Sequence, residues 1–92
     1  MNTGLWPIMP ILRGWVLRSG EEPVAEARVS FVSGPVPLPE IAALTNREGR
    51  FELNPRTAGT YRLRATSDEH GSGELEITVG LDGKDGFVIH LR

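Results

Sequence analysis

The chain has no cysteine, one tyrosine, two histidines, a single lysine at Lys84 and no long apolar run. Each shortage removes a class of explanation. Without cysteine there is no disulfide framework and no thiolate chemistry, and the sequence places itself in neither a reducing nor an oxidising compartment. The nine arginines are scattered singly along strand-like stretches and the formal net charge is −2. No segment therefore offers the basic face that nucleic acid requires, nor a polybasic membrane anchor, and neither partner is expected. No stretch approaches the roughly 18 to 20 apolar residues that cross a bilayer as a helix, so no membrane insertion is expected. The opening MNTGLWPIMPIL lacks a charged leader and is interrupted by Pro7 and Pro10, so it is not expected to act as a signal peptide. Localisation on this reading is unknown, and cytoplasmic by default.

What is present is period-two alternation between turn clusters. Of 92 residues, 39% are hydrophobic and 24% charged, an ordinary balance for a chain that folds around one core. Apolar residues alternate with polar ones in short runs about ten residues apart, which favours an antiparallel sandwich or barrel and leaves no place for a helix. Seven strands can be drawn. The first, ILRGWVLR, is apolar in both phases, which predicts cover on both faces, with Trp15 in the core. In EARVSFVS, Ala27, Val29 and Phe31 share one face. After the proline-rich GPVPLPE, which is read as an edge segment or loop, come the short IAALT and then RFEL, with Phe51 and Leu53 inward. TYRLRAT and ELEITV follow, and if they pair, Arg62 and Arg64 oppose Glu74 and Glu76 on a solvated face. The last strand is FVIHLR, with Phe87, Ile89 and Leu91 inward.

Between IAALT and RFEL lies TNREGRFEL, the densest polar stretch of the chain. It reads as strand end, turn and strand start: Asn46 can bond its own backbone and Gly49 can take a positive φ. Four segments in order resemble one family. They are LRGWV; EPVAEARVSF with Pro23, Val24, Ala27 and Val29; Thr45, Asn46, Gly49 and Phe51; and Gly59, Tyr61 and Leu63. Together they resemble the carboxypeptidase regulatory-like domain over nearly the whole chain, with Ala58 where the family usually has proline. The resemblance implies an all-β, seven-stranded antiparallel sandwich of Ig-like or transthyretin-like type at residues 11–92, after an N-terminal extension at 1–10. It also implies a non-catalytic module beside enzymes, in surface proteins or in secreted assemblies.

The residues agree with that role. No H-x-x-E or H-E-x-x-H occurs, so zinc protease chemistry is not expected. One tyrosine cannot supply the two that an intradiol dioxygenase needs, the Tyr-Arg-Gly-Ser tail of a hydroxyisourate hydrolase is missing, and Lys84 in a turn suits no isopeptide bond. SDEH, Ser67–His70, offers carboxylates and an imidazole that could bind a divalent metal with His90. A closed site needs four convergent ligands, and a solvated loop is the plainer reading. DGKDG, Asp82–Gly86, has the content of a calcium loop without its regular ligands and is read as a hairpin turn.

No catalytic residue, metal or cofactor is assigned. The candidate partner contacts are Trp6, Pro37, Pro39, Asp68 and His70. For Trp6, capping one end of the sandwich is the favoured reading over exposure as an anchor, and the prolines are explained by protection of a sheet edge. The expected function is a non-enzymatic module binding a protein or glycan partner through an edge strand or end loops. The alternative is a structural subunit or homodimer joined through edge strands. A minor third reading is a metal-dependent enzyme domain using Asp68, Glu69, His70 and His90.

Overall fold

The computed structural model describes residues 10–38, 42–55 and 57–92. The alternating runs become strands: β1 Leu12–Arg18, β2 Glu22–Pro23, β3 Arg28–Ser33, β4 Ala42–Leu44, β5 Arg50–Leu53, β6 Gly59–Ser67, β7 Gly71–Val79 and β8 Lys84–His90. They form two sheets. The first is built around β1. β8 runs parallel to β1 along Leu12–Leu17, so the antiparallel β5 (opposite Leu12–Trp15) and β2 (opposite Leu17–Arg18) share its other edge. The second sheet has the order β4-β3-β6-β7 and is antiparallel throughout.

The sandwich is the expected one, with two differences. The two-residue β2 makes an eighth strand, and the β1–β8 pair is parallel. The second difference arises at the turn after β7. Gly83 N–H donates to the Gly80 carbonyl at 3.0 Å, a tight turn as expected from Asp-Gly, but the chain leaves one sheet there and enters the other. It joins two sheets and does not make a hairpin within one. Near its start β8 carries a bulge at Gly86, since Arg13 stands opposite Asp85 and Gly14 opposite Phe87.

The inner faces hold the apolar phase of each strand. Leu12 and Val16 of β1, Val29 of β3, Tyr61, Leu63 and Ala65 of β6, and Ile89 of β8 are at most 1% exposed. Phe51 meets Phe87 edge-on with ring centroids 5.6 Å apart, joining β5 to β8 across β1. The Tyr61 ring is fully buried beside Phe31, and its hydroxyl escapes an unsatisfied burial by donating to the Thr57 carbonyl at 2.5 Å. Trp15 is corrected by this phase. Leu12, Gly14 and Val16 take the inward positions of β1, so Trp15 points outward and is half-buried, with the Arg50 guanidinium 4.6 Å from its ring centroid.

TNREGRFEL carries the chain from β4 in one sheet to β5 in the other. Asn46 Oδ1 accepts from Glu48 N–H and Arg50 N–H, both at 3.0 Å, and Gly49 N–H donates to the Asn46 carbonyl. Gly49 is buried at φ 76°, and its carbonyl accepts Val16 N–H at 2.7 Å. A Cβ there would lie 2.7 Å from the Val16 carbonyl oxygen and 3.0 Å from Pro23. Thr45 completes the crossing. Its buried hydroxyl donates to the Val24 carbonyl at 2.6 Å and accepts Ala27 N–H at 2.9 Å, fastening the loop before β3.

Two stability tests follow from this crossing. Gly49→Val is expected to lower the unfolding free energy by about 2 kcal/mol or more, from strain at positive φ plus the collision with Val16 and Pro23. An unchanged urea midpoint would refute it. Thr45→Val removes both bonds of the hydroxyl and strands a buried N–H, which costs about 1–3 kcal/mol, whereas Thr45→Ser is expected to keep most of the stability. A loss in Thr45→Ser with none in Thr45→Val would show that the methyl group, not the hydroxyl, matters.

Candidate functional site

The candidate contacts are dispersed by the direction of β3. Arg28 at its start pairs with Thr66 of β6, and Ser33 at its end pairs with Arg62. Asp68 and His70 follow Ser67 at the first end, while Pro37 follows Ser33 at the other. The structure therefore places Pro37 and the Asp68–His70 turn at opposite ends of one sheet. Trp6 and Pro39 lie outside the described residues.

At the Asp68 end, the loop that holds SDEH is short. Ser67 pairs with Gly71 and Ala65 with Gly73, leaving only Asp68–His70 in the turn. The Ser67 hydroxyl accepts the main-chain N–H of Glu69 at 3.3 Å and of His70 at 3.2 Å, which is what folds so short a connection. Asp68 reaches Arg28 at 3.3 Å, with both side chains in solvent. His90 is engaged elsewhere, 3.0 Å from Glu21. Among the described residues no three His, Asp or Glu side chains converge as metal ligands would.

The outer face of the β4-β3-β6-β7 sheet divides into two halves. Across β6 and β7, Arg62 stands opposite Glu76 and Arg64 opposite Glu74 as expected, and Arg62 is 3.5 Å from Glu74 and 4.0 Å from Glu76. Each exposed pair of this kind is worth little, about 0.2–1 kcal/mol, but together they make this half a solvated ionic lattice. The β3–β4 half is apolar. Four large hydrophobic side chains are exposed among the described residues, and three of them are here: Leu44 at 63%, Val32 at 49% and Val36 at 37%. Val32 and Val36 line an open groove of ≈ 820 Å³ whose walls also include Phe31, Pro35, Pro37 and Ala42, whereas Leu44 stands opposite Arg28, toward the other end of β3. Pro35 packs across Gly59 and the loop lies close against the Tyr61 ring, so the groove rests on the core.

Pro37 is thus the candidate that the fold brings into an organised surface. Val32 and Val36 are the members of that surface that sequence reasoning missed, as it missed the exposed Leu44 of β4. Ala43 and Leu44 are both apolar, and only the pairing of Ala43 with Val29 and of Leu44 with Arg28 shows which of them faces out. Val32 follows a slip in register between Phe31 and Ser33, which period two cannot anticipate.

A second groove of ≈ 550 Å³ follows the seam where β4 and β5, from different sheets, lie side by side. Leu44 and Ala43 form one bank, and Arg50, Phe51, Glu52 and Arg13 the other. Arg13 pairs with Glu52 at 3.2 Å. Arg50 lies over Trp15 and, among the described residues, has no carboxylate within ion-pair distance.

His70→Ala and Asp68→Asn are each expected to change the unfolding free energy by no more than about 0.5 kcal/mol, because both groups are at the surface of a turn held by Ser67. Excess zinc is expected to leave the melting temperature unchanged. A rise of several degrees that His70→Ala abolishes would show that ligands do converge there.

A family model, that of the carboxypeptidase regulatory-like domain, matches residues 11–92. No curated protein matches the chain.

Proposed function

The chain belongs to the carboxypeptidase regulatory-like domain family, and from that premise we propose that it is a non-catalytic accessory module that binds a protein partner through the apolar β3–β4 half of its second sheet. Domains of this family are β-sandwich modules and are non-catalytic in general. The observation that carries the reading is the gathering of Val32 and Val36, both exposed, with Phe31, Pro35 and Pro37 around one groove, while the adjoining half of the same face is covered by Arg–Glu pairs. Water-exposed valine side chains scattered singly need no explanation, but two set together in a groove walled by Phe31, Pro35 and Pro37 mark an interaction surface. Their chemistry favours a protein over a glycan, since a sugar platform needs an open aromatic face and Phe31 is half-buried against Tyr61.

The reading is tested by placing a photo-crosslinking residue at Val36 or, as a control on the ionic half, at Thr78. Crosslinking is then triggered in the cells that make the protein. A discrete adduct from position 36, absent from position 78 and reduced by Val32→Asp, is expected. Equal adducts from both positions would overturn the proposal. An adduct of twice the chain's own mass would instead support a structural subunit or homodimer.

A further inference from the structure

We propose that the β4–β5 seam receives an extended, acidic protein segment as an added strand. This rests on the reading above, that a protein binds at the β3–β4 edge, and specifies how. Backbone geometry supports this first. Thr45 N–H donates to the Ala27 carbonyl at 3.0 Å, and antiparallel pairing alternates bonded and unbonded pairs from there. Val29–Ala43 is then a bonded pair, and the N–H and carbonyl groups of Ala42 and Leu44 point away from β3, into the seam. On the other bank, Val16 N–H donates to Gly49, so the same alternation turns the main-chain groups of Arg50 and Glu52 away from β1. Those of Arg50 are taken by Asn46, and those of Glu52 face the seam. Strand edges of both sheets thus present main-chain groups to one groove.

Second, among the described residues no main-chain bond joins β4 to β5 across this seam. On the opposite side of the sandwich, β7 and β8 are tied at both ends, by the Gly80–Gly83 turn and by Arg92 N–H donating to the Ser72 carbonyl at 3.1 Å. β7 also carries Glu74 and Glu76, charges of the kind that protect an edge from pairing. β4 is Ala-Ala-Leu, with neither charge nor proline, and Leu44 is 63% exposed.

Charge favours an acidic occupant. Arg13 and Arg50 against Glu52 leave the seam one positive charge in excess, and Arg50 is the seam cation that has no ion-pair partner among the described residues. Its position over Trp15 holds the guanidinium in place without neutralising it. A segment with alternating apolar side chains and one carboxylate placed to reach Arg50 satisfies the backbone, Leu44 and Phe51, and the charge together. A second copy fits less well, because a two-fold contact would bring the same positive bank to itself.

The probe is a displayed library of random linear peptides selected on the intact chain, followed by titration calorimetry with the enriched peptide and a twin in which its acidic residue is lysine. Enriched sequences are expected to alternate apolar residues and to carry an acidic one. The lysine twin is expected to bind about tenfold more weakly, and Arg50→Glu to reverse that preference. Leu44→Pro removes a main-chain donor that faces only the seam, so it is expected to abolish binding of either peptide while the melting temperature holds. Charge-swapped binding in Arg50→Glu shows that this variant is folded.

Absence of any enrichment, equal affinity of the two peptides, or binding unaffected by Leu44→Pro would each overturn the inference. So would a dimer of the chain that Leu44→Pro dissociates. Peptides that ignore Leu44→Pro and Arg50→Glu but are lost in Val32→Asp would leave the apolar-corner reading standing while this one fails.

Discussion

The structure depends on one crossing, where the chain passes from β4 in one sheet to β5 in the other within five residues. Two buried contacts hold it: the Gly49 carbonyl on Val16 N–H, and the Thr45 hydroxyl shared between Val24 and Ala27. Both bind main-chain groups that would otherwise be buried without partners, which is where a lost bond costs most. Val24 N–H in turn donates to the Val16 carbonyl at 3.0 Å, so β1, the loop before β3 and the turn are joined through a single residue of β1. The two sheets are aligned by this knot before any side chain of the core is considered.

From the crossing the surface follows. Because β1 is held by β5 and β2 on one edge and by β8 on the other, its alternate residues have no freedom of face. Trp15 must point out, and Arg50, its cross-strand partner, covers it. The same crossing sets β4 beside β5 and makes a seam across which, among the described residues, no main-chain bond is formed. The apolar groove at Val32 and Val36 and the seam meet along β4, whose Ala42 lines the first and whose Ala43 and Leu44 line the second, so an interface on the β3–β4 edge and a strand added in the seam are parts of one region.

Much of the fold was legible because period two is a direct consequence of the pleat. Phe51 and Leu53, Tyr61 and Leu63, and Ile77 and Val79 all face in, as alternation requires. The Arg62–Glu76 and Arg64–Glu74 pairs were legible too, since TYRLRAT and ELEITV have matching polarity and pair through a tight turn. Alternation failed where both phases of a strand are apolar. In β1 it could not choose between Trp15 and Val16, and in IAALT it could not choose between Ala43 and Leu44. The candidate site was legible only at Pro37, because its other members are ordinary hydrophobic residues whose exposure is decided by neighbours distant in the chain.

By itself, then, the sequence determined an all-β sandwich, the position of its turns and the tight turn at Asn46–Gly49. These depend on local chemistry: alternation along a strand, an asparagine that can bond its own backbone, a glycine that tolerates positive φ. Only the tertiary structure decided that β8 runs parallel to β1, that Trp15 is a surface residue under Arg50, and that Leu44 is exposed at an open seam. Those outcomes depend on which strand edges meet. Pairing between strands tens of residues apart is selected by the packing of two whole sheets, which no short window of residues encodes.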